Sequence, residues 1–169
     1  MIISGAIHIF GDNVDTDVII PARHCITDDV EYLALHCMED IAAGFYESCK
    51  SGDIIVAGKN FGCGSSREAA VLALTGCGIK CVIAESFARL FYRNSVNNGL
   101  LVIETEHLRD NVNDSERLTV DTAALTITAE NGYITAYSKN ESSVVEEIIS
   151  AGGLMKYYLR HYEKHDTGR

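Results

Sequence analysis

Between Asp53 and Ala84 the chain runs through an apolar stretch, a glycine-rich loop, a helical pattern and a second apolar stretch, and this order restricts the fold more than any other feature. Asp53-Ile54-Ile55-Val56-Ala57 and Lys80-Cys81-Val82-Ile83-Ala84 are short, apolar and rich in β-branched residues, the pattern of buried strands. The stretch "GKNFGCGSSREAA", residues 58–70, leads from the first of them into a helix expected over about 66–76. Ser65 and Glu68 have the spacing of a capping box for that helix. Strand, helix, strand in this order is a βαβ unit, whose crossover implies parallel pairing.

The flanking sequence extends the pattern. Residues 2–10 read as a first strand, followed by "GDNVDTDVIIPARHC", an acidic turn running into a second apolar segment that ends at the only proline, Pro21. Residues 31–39 are a short helix candidate. Ser86 is placed to cap a helix over "FARLFYRNSVNN", with Gly99 at its C-cap and a strand at Leu100 to Ile103 beyond. In the last third, "LTVDTAALTITAENGYITAYS" alternates apolar and polar residues, which predicts antiparallel strands, and Asn131-Gly132 predicts a type I′ turn. Ser142 and Ser143 open a helix over "VVEEIISAG", "LMKYYLRHY" follows as another, and a frayed tail is expected over residues 163–169. The expected fold is α/β with mixed parallel and antiparallel strands. The 169 residues, 47% hydrophobic, suit one domain over 1–169 with a sizeable core.

A formal charge of -10, without lysine or arginine clusters, argues against nucleic acid and anionic membrane surfaces, which need a basic face. No apolar run approaches the roughly 18 residues of a membrane span. The start "MIISGAIHIF" lacks the pattern of a signal peptide, so a cytoplasmic location is expected. The six cysteines include no CxxC pair and the six histidines are scattered, so no metal site is expected within the chain. Most of the cysteines read as reduced packing residues. Cys63, inside the glycine loop, is the one placed near possible chemistry.

In open α/β sheets ligands bind beyond the carboxyl ends of strands, where loops meet helix N-termini, and the 58–67 loop is at such a place. Gly62 and Gly64 allow close backbone approach, the first helical N–H groups favour an anion, and Arg67 offers a planar fork for a carboxylate. On the loop alone, the alternative is that Ser65 only caps, Glu68 closes the box and Arg67 is solvated. Known phosphate and hydrolase signatures fail. Lys59 is at the wrong end for a P-loop, and Arg67 and Glu68 stand where GxSxG needs glycine. The aspartates of "GDNVDTD" miss calcium-loop spacing, with Arg23 or Ile26 where the bidentate glutamate belongs.

Taken together, "GDNVDTDVIIP", "GKNFGCGSSREAA" and "IKCVIAESFARLFYRNSVNNGLL" resemble the small subunits of 3-isopropylmalate dehydratase and close relatives in the aconitase superfamily. The resemblance covers about residues 5–104 and continues toward the C-terminus. It implies a swivelling β/β/α three-layer domain that works with a large subunit, as a heterodimer or heterotetramer. The large subunit would carry a [4Fe-4S] cluster whose iron acts as Lewis acid on a departing hydroxyl. By motif position the resemblance implies Ser65 as general base in its alkoxide form, with Ser66 and Arg67 holding substrate oxygens beside Gly64. It also places Thr16 and Asp17 at the site, Asp17 orienting a group of the large subunit. For Arg89 and Arg93 it gives motif positions only.

Where relatives carry a recognition loop after the proline, this sequence reads His24-Cys25-Ile26-Thr27. Ile26 takes the discriminating position, and an isoleucine cannot pair an extra carboxylate. An alkyl-substituted malate, 3-isopropylmalate first, is therefore favoured over citrate or homocitrate, with nearby Arg23 left as a competing influence. The alternatives are a dimethylmalate or methylmalate dehydratase or homoaconitase small subunit, a non-catalytic anion-binding regulatory module, and a structural subunit whose loop is only an interface.

Overall fold

The computed structural model describes residues 1–138 and 142–162. Seven strands form one curled sheet in the order β4-β3-β2-β1-β5-β6-β7. Strands β1 (Ile2–Ile9), β2 (Ile54–Ala57), β3 (Cys81–Ala84) and β4 (Leu101–Glu104) run parallel, while β5 (Arg117–Asp121), β6 (Thr126–Ala129) and β7 (Ile134–Ala136) continue antiparallel. The joint is β1. Its first half, Ile2 to Ala6, pairs with β5, and its second half, Ile7 to Ile9, pairs with β2.

Alternation along the parallel strands divides the core in two. Ile55, Ala57, Val82, Ala84 and Val102 face the helices, packing with Leu33, Val71, Leu74 and Phe91. Ile54, Val56, Cys81, Ile83 and Ile103 face the other way and meet Leu118, Val120 and Ile127 of the antiparallel strands. Both faces of β2 and β3 are thus buried, which is why these strands are continuously apolar. Helices on one side, the parallel strands between and the antiparallel strands on the other make the expected β/β/α layering.

The helices are α1 (Thr16–Ile19), α2 (Val30–Leu35), α3 (Phe45–Ser48), α4 (Glu68–Gly76), α5 (Arg89–Asn97), α6 (Ser143–Ala151) and α7 (Leu154–Tyr162). None is long and apolar enough to cross a membrane. The short α1 and α3 carry no sequence pattern of their own, and α2 stops four residues before the expected end. Ser86 does not cap α5. Ala88 is the N-cap, and the Ser86 hydroxyl instead accepts from the Asn60 N–H at 2.9 Å. The hairpin of β6 and β7 is not type I′ either. Only Gly132 of the Asn131-Gly132 pair has positive φ, at 93°, and Gly132 N donates to Ala129 O while Ala129 N donates to Tyr133 O. That is a three-residue loop with a glycine bulge. The expectation for residues 163–169 lies outside the described residues.

One buried carboxylate ties β1 to β2. Asp53 accepts from Ala6 N at 3.1 Å, Lys50 N at 2.9 Å and His8 Nε2 at 3.0 Å. The Cys49 sulfur and then the Asp53 carboxylate raise the pKa of His8 to about 9, against the effect of burial. A protonated imidazole is thus favoured beside the Asp53 carboxylate.

Candidate active site

The loop after β2 is held from both sides. Asn13 N donates to Lys59 O, Gly62 N to Val14 O and Thr16 N to Cys63 O, each at 2.8 Å. On the other flank Phe61 N donates to Ser86 O at 3.0 Å and Ala88 N to Phe61 O at 2.9 Å. The parallel ladder therefore continues past the ends of β1, β2 and β3 and sets the loop at their carboxyl ends, where α/β sheets bind ligands. Below it, the fully buried Phe61 meets Phe91 edge-on with centroids 5.3 Å apart.

Two glycines permit this seating. Gly62 has φ 76°, and a Cβ there would lie 2.1 Å from the Phe91 ring. Gly64 has φ 87°, and its Cβ would fall 2.3 Å from the Asp15 carboxylate. Asp15 in turn is the N-cap of α1 and accepts from Asp17 N at 2.7 Å. Sequence reasoning overlooked Asp15, although an aspartate two residues before another, ahead of an apolar run, is a capping signal. Asp12 is structural as well. Lys59 N and the Arg109 guanidinium bond to its Oδ1, and they hold its carboxyl below the usual range.

Thr16 is buried, and its hydroxyl donates to the Ser65 carbonyl at 2.8 Å. The expected capping box does not form. Helix α4 starts at Glu68 with Arg67 as its N-cap, no side chain closes that cap, and the Glu68 carboxylate accepts from Asn98 Nδ2 at 3.0 Å. The left-handed turn at Gly64 and the bond from Thr16 to the Ser65 carbonyl seat the serine pair just ahead of the helix, with neither hydroxyl on its cap. Ser65 and Ser66 are exposed, and neither hydroxyl has a partner among the described residues. The N–H groups of Gly64, Ser65, Ser66 and Arg67 likewise meet no acceptor among the described residues.

Arg67 and Asp17 are paired within the chain, Nη1 to Oδ1 at 2.6 Å, and the same Nη1 points to Cys25 Sγ at 3.7 Å. The second amino group of the Arg67 fork has no partner among the described residues. Burial and then the Asp15 charge push the Cys63 thiol up, which disfavours the thiolate. Arg89 and Arg93 do not reach the loop. They line a separate open cavity of about 990 Å³ beside β4, α5 and α6.

The Cys25 contact brings residues 24–27 to Arg67. Ala22–His24 is one turn of 3-10 helix, and Ile26 beyond it is 78% exposed. Arg23 is engaged elsewhere, by Asp40 at 2.6 and 3.1 Å and by Glu39. His24, His36 and Glu39 place three metal-type ligand atoms within 4.8 Å of one another. The two imidazoles, however, are stacked at 3.6 Å and 8°, so an ion between their nitrogens would sit far out of both ring planes. The group is a hydrogen-bonded clamp.

The cysteines do not suit an iron-sulfur cluster. Cys37, Cys49 and Cys77 lie near one another in the helix-side core, and Cys81 is in the other core. Mutual contacts and burial push the thiols of Cys49 and Cys77 far up, as suits packing residues, and among the described residues no three cysteine sulfurs come close enough together to share an ion.

Comparisons with known proteins give the family. Residues 35–108 match the aconitase C-terminal domain family. The 3-isopropylmalate dehydratase small subunit of Syntrophus aciditrophicus is 47% identical over 157 residues, 93% of this chain and 96% of its own. That of Caldicellulosiruptor bescii is 44% identical over 171 residues, 97% and 99% of the two chains. The crystal structure of 3-isopropylmalate dehydratase from Methanocaldococcus jannaschii superimposes with a TM-score of 0.92 at 44% identity, over 100% of both chains. The fold and these relatives together define a small subunit of the aconitase superfamily. The chain belongs to the 3-isopropylmalate dehydratase small-subunit family.

Proposed function

We propose that this chain is the small subunit of a hydro-lyase acting on an alkyl-substituted malate, 3-isopropylmalate first, in the leucine branch of amino-acid biosynthesis in the cytoplasm. The observation that carries the reading is the loop at the strand ends, where two hydroxyls, four N–H groups and one arm of Arg67 meet no partner among the described residues. Ser65, as its alkoxide, takes the proton from the carbon next to a substrate carboxylate. The electron pair left behind forms the C=C bond as the neighbouring hydroxyl departs. The adjacent N–H groups and the Arg67 charge stabilise the alkoxide, whose hydroxyl in water is far too weak an acid. Arg67 binds a substrate carboxylate through its free arm while Asp17 aims the fork. Ser66 binds a second oxygen, Gly64 lets the substrate approach the backbone, and Thr16 positions Ser65.

When bound on the large subunit, the [4Fe-4S] cluster supplies the Lewis acidity that polarises the departing hydroxyl. The present chain, whose cysteines do not suit it, contributes the base and the carboxylate site. Alone it should fold and show no turnover.

For Arg67→Lys in the assembled enzyme, kcat/KM should fall roughly 10- to 100-fold, the worth of a charge-assisted hydrogen bond that a point charge cannot reproduce in fork geometry. Steady-state kinetics check it, and an unchanged kcat/KM would return Arg67 to the solvated surface.

Specificity rests on Ile26, exposed one residue from the cysteine that touches Arg67, with Arg23 occupied by two carboxylates. Burying an alkyl group against Ile26 gains about 0.8 kcal/mol per CH₂. A third carboxylate there would lose water without gaining a partner. The test is anaerobic co-expression with the cluster-bearing subunit, then kcat/KM for isopropylmalate, dimethylmalate, methylmalate and homocitrate. Alkylmalates should be preferred, and Ile26→Arg should move the ratio toward homocitrate. A wild-type preference for the tricarboxylic acid would assign recognition to another residue.

A further inference from the structure

The segment that carries Ile26 has no strand or long helix to hold it, yet its side chains are tied down on one side. The turn that follows α2 is itself anchored. Met38 is fully buried, and its N–H donates to Ile19 O at 2.8 Å. From this base Glu39 projects toward residues 23 and 24. Its Oε1 accepts from His24 Nε2 at 2.7 Å and from the Arg23 guanidinium, and its Oε2 accepts from His36 Nδ1 at 2.8 Å. Arg23 is held a second time by Asp40, and His24 a second time by the Tyr32 hydroxyl at 3.1 Å and by stacking on His36. The next residue, Cys25, meets Arg67. Consecutive residues are thus fixed to the core through Glu39 and to the substrate arginine through Cys25, and Ile26 follows directly.

We infer that Glu39 is a positioning residue for substrate recognition, clamping Arg23 and His24 so that Ile26 presents its side chain at a set distance from Arg67. Loose, an exposed isoleucine would discriminate poorly, because an alkyl group of any length would find it in some rotamer and loop position. Held, it defines how much alkyl chain the site accepts. The carboxylate of Glu39 suits the task. His36 first, then His24 and Arg23, lower its pKa to about 2, so the clamp stays charged throughout the working range. The inference rests on reading residues 24–27 as the recognition segment.

Glu39→Gln tests it in the assembled two-subunit enzyme. An amide keeps the shape but removes the charge that holds Arg23, and its donor end can be met by His36 only if the Nδ1 proton is given up, so the clamp is weakened. Amide hydrogen exchange of residues 24–27 should quicken about tenfold or more while β2 and β3 keep their protection. The kcat/KM ratio of isopropylmalate over methylmalate should fall about tenfold, through KM, with kcat within about twofold. Arg23→Met, which removes one arm and leaves the histidines, should show the same changes to a smaller extent. Unchanged exchange in both variants would overturn the clamp, whatever the protein catalyses. Faster exchange with unchanged alkyl selectivity would show that residues 24–27 move freely without governing recognition, and would overturn the reading of Ile26.

Discussion

Ser65→Ala in the assembled enzyme should lower kcat by at least about 10²- to 10⁴-fold, the range for loss of a general base, and leave the thermal midpoint almost where it was. The separation of the two effects follows from the way the loop is seated. Ser65 is exposed, its hydroxyl bonds to nothing among the described residues, and the helix it precedes is capped at Arg67. Had it been the N-cap, alanine would cost about 0.5–2 kcal/mol. Here the change belongs with surface substitutions, within about 0.5 kcal/mol. The anchoring bond from Thr16 goes to the Ser65 carbonyl and survives the substitution. Turnover and calorimetry on the same preparation decide the matter. A variant that assembles and keeps most of its activity would remove Ser65 from the base role.

Gly62→Ala should do the reverse, acting on the fold first. At φ 76° an alanine is strained, and its Cβ would stand 2.1 Å from the Phe91 ring. Phe91 has little room to retreat, being buried between α5 and the sheet with Phe61 edge-on and Phe87 stacked at 6.2 Å. Strain of about 1–3 kcal/mol and overpacking of similar size add to roughly 3 kcal/mol. For a chain of this length that lowers the midpoint by about 6–12 °C. Because Gly62 N also holds the loop to Val14 O at 2.8 Å, activity should fall with stability. A midpoint within about 2 °C of wild type would mean that the loop tolerates a side chain there, and that Gly62 is not what sets its position.

Much of this was readable from residues alone. The continuous apolar runs at 54–57 and 81–84, the alternation after 117 and the glycine loop between strand and helix are local signals, and the layers follow from them. So does the location of the glycine loop, since a βαβ unit puts it at the carboxyl ends of the strands. Capping was less legible. Ser65 with Glu68 and Ser86 ahead of α5 both have cap spacing, and neither caps: Thr16 holds the Ser65 carbonyl, Asn98 engages Glu68, and the Ser86 hydroxyl accepts from Asn60 N. The pattern at Asn131-Gly132 failed for a related reason: the pair matches two turn types, and the strand register selects between them.

The sequence by itself determined the candidates for the proposed chemistry, because hydroxyls, guanidinium and glycines stand together in one loop between strand and helix. Only the tertiary structure decided what each of them is free to do. It occupied Arg23 with Glu39 and Asp40, gave Asp17 to Arg67 and Thr16 to the Ser65 carbonyl, and left the two serine hydroxyls open. Partners tens of residues apart leave no spacing to read, and a side chain's availability depends on which of them arrives first within hydrogen-bond distance.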